Sequence, residues 1–181
     1  MKSFSRLLLY SFLAAASLTS ALRADDELVS NKNFADATKD ATWPDGWEKK
    51  VGATWETDGA KHFLRLTQAE PGKMLMAYRE VAIPPGTKKI AITIVYRTSG
   101  IVPGAQKWFD ARAIFHYTND EKAQLKPEPK PMIFSKTAAD WTTITQECAV
   151  PEGATKLVLM PSLFQVQAGT LDLAEVSAVK S

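Results

Sequence analysis

The clearest pattern in this chain is an alternation of side-chain types over residues 88–97. Large apolar residues from Ile90 to Tyr96 fall on one side, and smaller or polar residues from Ala91 to Arg97 fall on the other. A period of two residues predicts a β-strand, and β-branched side chains favour one. We expect a central sandwich strand whose large side faces the core and whose small side leaves a shallow surface.

Other segments show shorter patterns of the same kind. The predicted strands cover 54–57, 61–68, 73–83, 107–117, 132–134, 142–150, 156–164 and 170–179. Turn residues such as Pro84, Pro85 and Gly86 separate them, and no segment has the length and period of an amphipathic helix. The pattern predicts an all-β fold, an antiparallel β-sandwich or jelly roll.

The first 24 residues have the pattern of a secretory signal peptide. Lys2 and Arg6 precede an apolar run that is too short to span a bilayer, and small residues follow it. We expect cleavage after Ala24, with cleavage after Ala21 as the alternative. The rest, 25–181, is then a single β-sandwich domain that is secreted or periplasmic and does not insert into a membrane.

The charge of the predicted mature domain differs from that of the whole chain. Residues 1–24 carry 3 of the 22 basic residues and none of the 20 acidic ones, which leaves 19 basic residues against 20 acidic. A domain so close to neutral lacks the basic surface that nucleic acids or anionic membranes require. Cys148 is the only cysteine, so no disulfide forms within the chain, and we expect a buried thiol.

Two tryptophans flank a turn near the start of the domain. Trp43 and Trp47 border the Pro44-Asp45-Gly46 sequence. We expect Trp47 to close one end of the core. For Trp43 two interpretations remain open, a core residue or a platform on which a sugar ring stacks.

Several features together resemble the cellulose-binding, cenC-type carbohydrate-binding modules, which share the galactose-binding-like jelly roll. The matching positions run in family order: Asn31, Phe34, Pro44, Gly46, Trp47, Leu64 to Leu66, Val81, Ile83, Pro84, Gly86, Trp141, Val150, Pro151, Gly153, Ala154, Gly169, Leu173 and Val176. Nearly all are turn or core positions. The resemblance therefore implies a fold more strongly than it implies a ligand.

The chain departs from that family at its calcium site. Family members commonly carry an acid after the first-strand phenylalanine and a pair of acids before the final valine, where this chain has Ala35 and Ala174-Glu175. Calcium needs several oxygen ligands, and methyl groups supply none. We expect the calcium to be absent or weak, and we expect no other metal or cofactor, although Asp36, Asp172 and Glu175 could rebuild a site.

The candidate ligand site begins on the predicted strand 107–117. Alternation puts Phe109 and Phe115 on the core side and puts Trp108, Asp110, Arg112, Ile114 and His116 on the other side. An indole stacks on the apolar face of a sugar ring, and carboxylate, guanidinium and imidazole groups hydrogen-bond its hydroxyls. The competing interpretation is a solvated sheet face with one incidental tryptophan.

Two neighbouring strands extend this candidate site. Arg97 ends the small side of 88–97, and Tyr78 and Glu80 lie opposite the apolar residues of 73–83. We expect the strands to form a shallow groove. The predicted carbohydrate-binding residues are Trp108, Asp110, Arg112, His116, Arg97 and Tyr78.

The sequence contains no recognisable catalytic arrangement. It lacks a nucleophile elbow, a metal-spaced histidine pair and a glycine-rich phosphate loop. Asp110 and Glu80 would suit a glycoside hydrolase if both faced one groove, but almost any sequence with 20 acidic residues offers such a pair. We therefore predict no enzyme activity. The expected function is a secreted, non-catalytic carbohydrate-binding module whose partner is a polysaccharide or other glycan. The alternative is a non-catalytic β-sandwich that binds a partner protein in the periplasm or at the cell surface.

Overall fold

The structure, a computed structural model, describes residues 26–181, so the predicted signal peptide lies outside the described residues. Two antiparallel sheets make up the fold. The five-stranded sheet has the order β1-β2-β11-β5-β9, with β1 Ala53–Asp58, β2 Lys61–Thr67, β5 Lys89–Val102, β9 Ala138–Ala149 and β11 Ala168–Lys180. This arrangement confirms the predicted antiparallel β-sandwich.

The second sheet is built around two longer strands, β6 (Ala111–Thr118) and β10 (Lys156–Leu163). Short strands extend it on both sides: β3 (Leu75–Met76) and β4 (Arg79–Ala82) pair with β10, and β7 (Gln124–Leu125) and β8 (Met132–Ile133) pair with β6. We call it the six-stranded sheet. No helix among residues 26–181 is long and apolar enough to cross a membrane.

Strand β5 lies where its sequence predicts, between β11 and β9 in the five-stranded sheet. Ile90, Ile92 and Ile94 are fully buried in the core, and Tyr96 is nearly so. The opposite side of the strand, including Thr93 and Arg97, is only partly buried. The alternation therefore predicted both the strand and its orientation.

The core also contains Cys148, Trp47 and Trp43. Cys148 is buried, and burial raises the pKa of its thiol. Trp47 is buried against Phe34, with 4.9 Å between ring centroids. Trp43 is buried too, and its indole N–H donates to the carbonyl of Trp47 at 2.8 Å. Trp43 is thus a core residue and not an exposed sugar platform.

Two of the differences between predicted and observed strands affect the candidate site. The predicted strand 73–83 is divided into β3 and β4, and the predicted strand 107–117 begins only at Ala111. Residues 103–110 instead form the loop that carries the chain from one sheet to the other. Within it the Gly104 N–H donates to the Phe109 carbonyl at 2.8 Å, and the Phe109 N–H donates to the Gln106 carbonyl at 3.0 Å. Those backbone groups are consequently engaged in the loop and not in a strand ladder.

Candidate binding faces

The outer face of the six-stranded sheet carries most of the predicted site residues. Along β6, Ala111, Ala113, Phe115 and Tyr117 are buried, while Arg112, Ile114 and His116 alternate with them on the outer side. The predicted orientation is correct within the strand. Phe109, expected in the core, is only half-buried because it belongs to the loop.

An aromatic cluster lies at one end of this face. Trp108 is 54% exposed and meets Phe109 edge-on at 6.1 Å, and Phe109 meets Phe164 edge-on at 5.7 Å. The Arg112 guanidinium lies 5.6 Å from the Phe164 ring, and its Nε donates to Asp110 Oδ1 at 2.5 Å. The structure therefore brings Trp108, Asp110 and Arg112 together. We call these five residues the Trp108 cluster.

His116 lies further along the same face, beneath the chain segment 124–128. Its Nδ1 is 2.7 Å from Gln124 Nε2 and 3.2 Å from Glu128 Oε1. Lys126 also pairs with Glu128 at 2.9 Å, and this hydrogen bond is the main reason that the pKa of Glu128 is lowered. His116 therefore borders the open part of the face and is partly covered.

Tyr78 lies at the opposite edge of the face, in the connection between β3 and β4. Glu80, two residues on, pairs with Lys156 at 2.7 Å, and this hydrogen bond raises the pKa of Lys156. Between this edge and the Trp108 cluster the outer residues are apolar, chiefly Ile114 and Met160, which are direct cross-strand neighbours. The face therefore has an apolar middle and polar groups at its margins.

Glu80 and Asp110 are too far apart to act as the carboxylate pair of a glycoside hydrolase. Glu80 is opposite Val158 on β10, and Asp110 accepts the backbone hydrogen bond of Phe164. Six residues of strand correspond to roughly 20 Å. Paired catalytic carboxylates lie within about 10 Å of each other. These two acids therefore do not form such a pair.

Arg97 does not belong to this face, which corrects the predicted groove. Strand β5 pairs with β11 and β9, whereas β6 pairs with β10, β7 and β8. Both strands turn their large apolar sides toward the shared core, so their polar sides face away from each other. Arg97 consequently lies on the outer face of the five-stranded sheet.

On that second face Arg97 belongs to an ionic network centred on Asp172. Asp172 Oδ2 accepts from Arg97 Nε at 2.7 Å and from Arg65 Nη2 at 2.8 Å, and Oδ1 accepts from Arg65 Nε at 2.8 Å. The Asp172 side chain is only 4% exposed. Its hydrogen bonds raise the pKa of both arginines, which therefore keep their positive charge.

Aromatic rings support these guanidinium groups. Phe63 lies on the outer side of β2, apart from the core between the sheets, yet it is only 2% exposed. The guanidinium groups of Arg65 and Arg97 lie 5.3 and 5.0 Å from its ring. Trp141 meets the ring edge-on at 5.5 Å and lies 4.4 Å from the Arg97 guanidinium. The network is thus held between buried and half-buried aromatic side chains.

Sequence reasoning missed Phe63, used Arg65 and Trp141 only for their family match, and named Asp172 only as a residue that could help rebuild a calcium site. A signal was present, because Arg65 lies between Leu64 and Leu66, and Asp172 lies in the same way between two leucines of β11. A charged residue between two core residues of a strand is placed on the outer face. The sequence does not show that the two charges meet, because that depends on the pairing of β2 with β11, which sets Arg65 opposite Asp172.

Glu175, one of the positions compared above with a family calcium site, holds the ammonium group of Lys32 together with Glu27. Lys32 Nζ lies 3.0 Å from Glu175 Oε1 and 3.3 Å from Glu27 Oε2. Ala174 is buried. Within 26–181 no three His, Cys, Asp or Glu side chains are grouped so as to hold a metal ion. Weak or absent calcium binding stays a prediction.

Comparisons by sequence found no match, either to a protein-family model or to a curated protein. Comparisons by structure found similar folds. The enzymatically active domain of a bacteriophage CBA120 tailspike protein is 10% identical, with a TM-score of 0.62 over 86% of this chain and 22% of its own. A family 16 carbohydrate-binding module is 16% identical, with a TM-score of 0.51 over 75% of this chain and 91% of its own.

A third similar structure is a Clostridium thermocellum endo-1,4-beta-D-xylanase fragment, a family 22 binding module with its catalytic module, complexed with xylohexaose. It is 13% identical, with a TM-score of 0.54 over 86% of this chain and 28% of its own. The chain thus spans only about a quarter of the tailspike and xylanase chains. These likenesses establish a jelly-roll β-sandwich of the kind found in carbohydrate-binding modules. Membership of the cenC type stays a prediction.

Proposed function

We propose that this protein is a secreted, non-catalytic carbohydrate-binding module that binds a glycan on the outer face of the six-stranded sheet. The Trp108 cluster carries the proposal, because it combines a half-exposed indole with an Arg112–Asp110 pair in direct contact with an aromatic ring. The fold likeness to carbohydrate-binding modules supports it.

The cluster supplies the two kinds of contact that sugars need. The exposed Trp108 ring offers a flat apolar surface for one face of a pyranose. Arg112 and Asp110, whose side chains are only 12% and 15% exposed, offer donors and an acceptor whose positions are fixed by packing. Little conformational entropy is then lost when hydroxyls bind to them.

The rest of the face gives an extended ligand somewhere to lie. Ile114 and Met160 continue the apolar surface away from Trp108, and the Glu80–Lys156 pair with Tyr78 closes the far edge. In this proposal His116 is a marginal contact, and Arg97 is not part of the site. Xylo-oligosaccharides are a sensible first ligand, since a structure of similar fold was solved with xylohexaose.

Titration calorimetry with xylan, glucan and galactan oligosaccharides tests the proposal on the mature domain, 25–181. We expect binding to at least one of them and a loss of about tenfold or more in affinity for Trp108→Ala, because stacking is removed. Trp108→Phe should retain part of the affinity. Trp141→Ala is the matched control, since it removes an indole from the other face and should leave glycan affinity unchanged.

The alternative is a protein-binding surface, and one observation favours it. Met74 and Ile133 are large apolar residues that are 44% and 49% exposed beside the Trp108 cluster. A protein-binding surface predicts no glycan response and the capture of a periplasmic or cell-surface protein that Ile133→Lys abolishes. Export is itself part of the proposal, and sequencing the amino terminus of the secreted protein tests it.

A further inference from the structure

A cavity of about 480 Å³ opens on the outer face of the five-stranded sheet, opposite the face proposed to bind glycans. It lies over the ionic network described above. Its lining includes Arg65, Arg97, Asp172, Thr67, Ser99 and Thr170. Its volume lies within the range of about 300 to 1,000 Å³ that is usual for small-molecule sites.

We propose that this cavity is a second binding site and that it takes a carboxylated sugar, a uronate. In this complex the ligand carboxylate accepts hydrogen bonds from guanidinium N–H groups of Arg97 and Arg65. Sugar hydroxyls then meet the side-chain hydroxyls of Thr67, Ser99 and Thr170.

The guanidinium groups have donors to offer. Arg97 uses Nε for Asp172 and Nη1 for Asp58, and Arg65 uses Nε and Nη2 for Asp172 and Nη1 for Glu56. A guanidinium group has five N–H donors. Across residues 26–181 the remaining donors of both arginines have no protein acceptor, so a ligand oxygen can take them.

The residues that line the cavity carry one net positive charge. Two guanidinium groups line it against one carboxylate, and Asp172 already accepts three hydrogen bonds from those arginines. Outside the lining lie the acids Asp58 and Glu56, each paired with one arginine, and Lys61, 5.7 Å from the Trp141 ring. Asp58 is half-exposed, so water and salt weaken its field more than that of the buried network.

Asp58 competes with an acidic ligand for the charge of Arg97. Its carboxylate, outside the cavity lining, accepts a hydrogen bond from Arg97 Nη1 at 2.9 Å and adds a negative charge beside the cavity. Exposed ion pairs of this kind contribute little stability and exchange readily. Removing the Asp58 charge should accordingly strengthen the binding of an acidic ligand, whereas a purely structural network predicts no such gain.

The hydroxyl groups of the lining indicate a sugar acid and not a bare anion. No hydrogen bond within the described part of the chain involves the hydroxyls of Thr67, Ser99 or Thr170. A sulfate ion would reach the arginines but would fill little of the cavity. A uronate offers both a planar carboxylate for the guanidinium fork and ring hydroxyls for the other polar groups.

The experiment is a titration of the mature domain with galacturonate oligosaccharides, followed by amide chemical shifts. We expect shifts at Arg65, Ser99 and Thr170, about tenfold weaker affinity for Arg97→Gln, and an affinity that falls as salt rises. Asp58→Asn should tighten binding severalfold. Glu147→Gln is its matched control, because it removes an exposed acid elsewhere on the same sheet and should have no comparable effect.

A second variant keeps the test valid if Arg97→Gln disturbs the fold. Ala139→Phe should fill the cavity without touching the network, so binding should be lost while the unfolding midpoint is unchanged. Trp108→Ala should leave uronate binding intact, which separates this site from the proposed glycan face. Equal binding of neutral galactose oligosaccharides, equal displacement by sulfate, or unchanged binding in Ala139→Phe would each overturn the proposal.

Discussion

The two outer faces of this sandwich use the same side-chain types in opposite arrangements. Each combines an arginine, an aspartate and an aromatic ring: Arg112, Asp110 and Phe164 on one sheet, and Arg97, Asp172 and Phe63 on the other. On the six-stranded sheet the arginine–aspartate pair is packed down and an adjacent indole is exposed. On the five-stranded sheet the aromatic ring is buried and the guanidinium groups are accessible.

From this difference we infer that ligand preference depends on which partner of an arginine–aromatic contact reaches solvent. An exposed ring suits the apolar side of a neutral sugar. Exposed guanidinium donors suit an oxyanion. The first arrangement supports our proposed glycan face, and the second supports the uronate cavity.

The strongest test of this comparison removes the buried ring. Phe63→Ala should lower the free energy of unfolding by about 3 kcal/mol or more, because it leaves a cavity beneath two guanidinium groups. Phe164→Ala, at a half-buried ring on the other face, should cost clearly less. Urea denaturation measures both, and equal losses would contradict the contrast between the faces.

The next largest effect is expected from the buried carboxylate. Asp172→Asn should cost roughly 2 to 3 kcal/mol, since two guanidinium groups lose their shared anion, although both are partly exposed and can regain water. Glu80→Gln breaks the exposed pair with Lys156 on the other face and should cost less than about 1 kcal/mol. The same unfolding measurement compares them. A larger loss for Glu80→Gln would contradict the expectation that the buried Asp172 network stabilises the protein more than the exposed Glu80–Lys156 pair does.

A smaller effect concerns pH and the segment over His116. The hydrogen bond from Lys126 lowers the pKa of Glu128. A carboxyl whose pKa is lowered by folding stabilises the fold above its unfolded pKa, and that contribution disappears as pH falls through the folded pKa. The protection factors of the amides in 124–128, which are exchange rates corrected for the intrinsic effect of pH, should therefore fall below about pH 4.5, the ordinary value for Glu. Glu128→Gln should remove this dependence.

The smallest effect is expected from calcium. Lys32 lies between Glu27 and Glu175, so a positive charge is already present beside these acids. Adding millimolar calcium should then change the melting temperature by less than about 1 °C, because an ion that binds the folded protein weakly stabilises it little. Thermal unfolding scans with added calcium and with a chelator measure the two melting temperatures to be compared. A rise of several degrees would refute the expectation.

Much of the fold could be predicted from local patterns. The alternation from Ile90 to Tyr96 gave the central strand and its buried side, and the alternation from Arg112 to His116 gave the outward side of β6. Both predictions rest on a property of the strand itself, because successive side chains point to opposite faces.

The residues that share one outer face of the sandwich could not be predicted in the same way. The sequence pattern groups Arg97 with Arg112, yet the two lie on opposite faces. The face of each is set by strand pairing, of β5 with β11 and of β6 with β10. That pairing depends on contacts between segments that are distant in the sequence. Trp108 was placed on a strand, but it lies in the loop that changes sheets.

The sequence by itself determined that this protein is a β-sandwich and which side of each long strand is apolar, because those properties follow from the period of the chain. Only the tertiary structure decided that Arg65, Arg97 and Asp172 meet over Phe63. Their three strands come from the beginning, middle and end of the domain. Hydrogen bonding between strands so far apart in sequence is fixed by the collapse of the shared core and not by any local pattern.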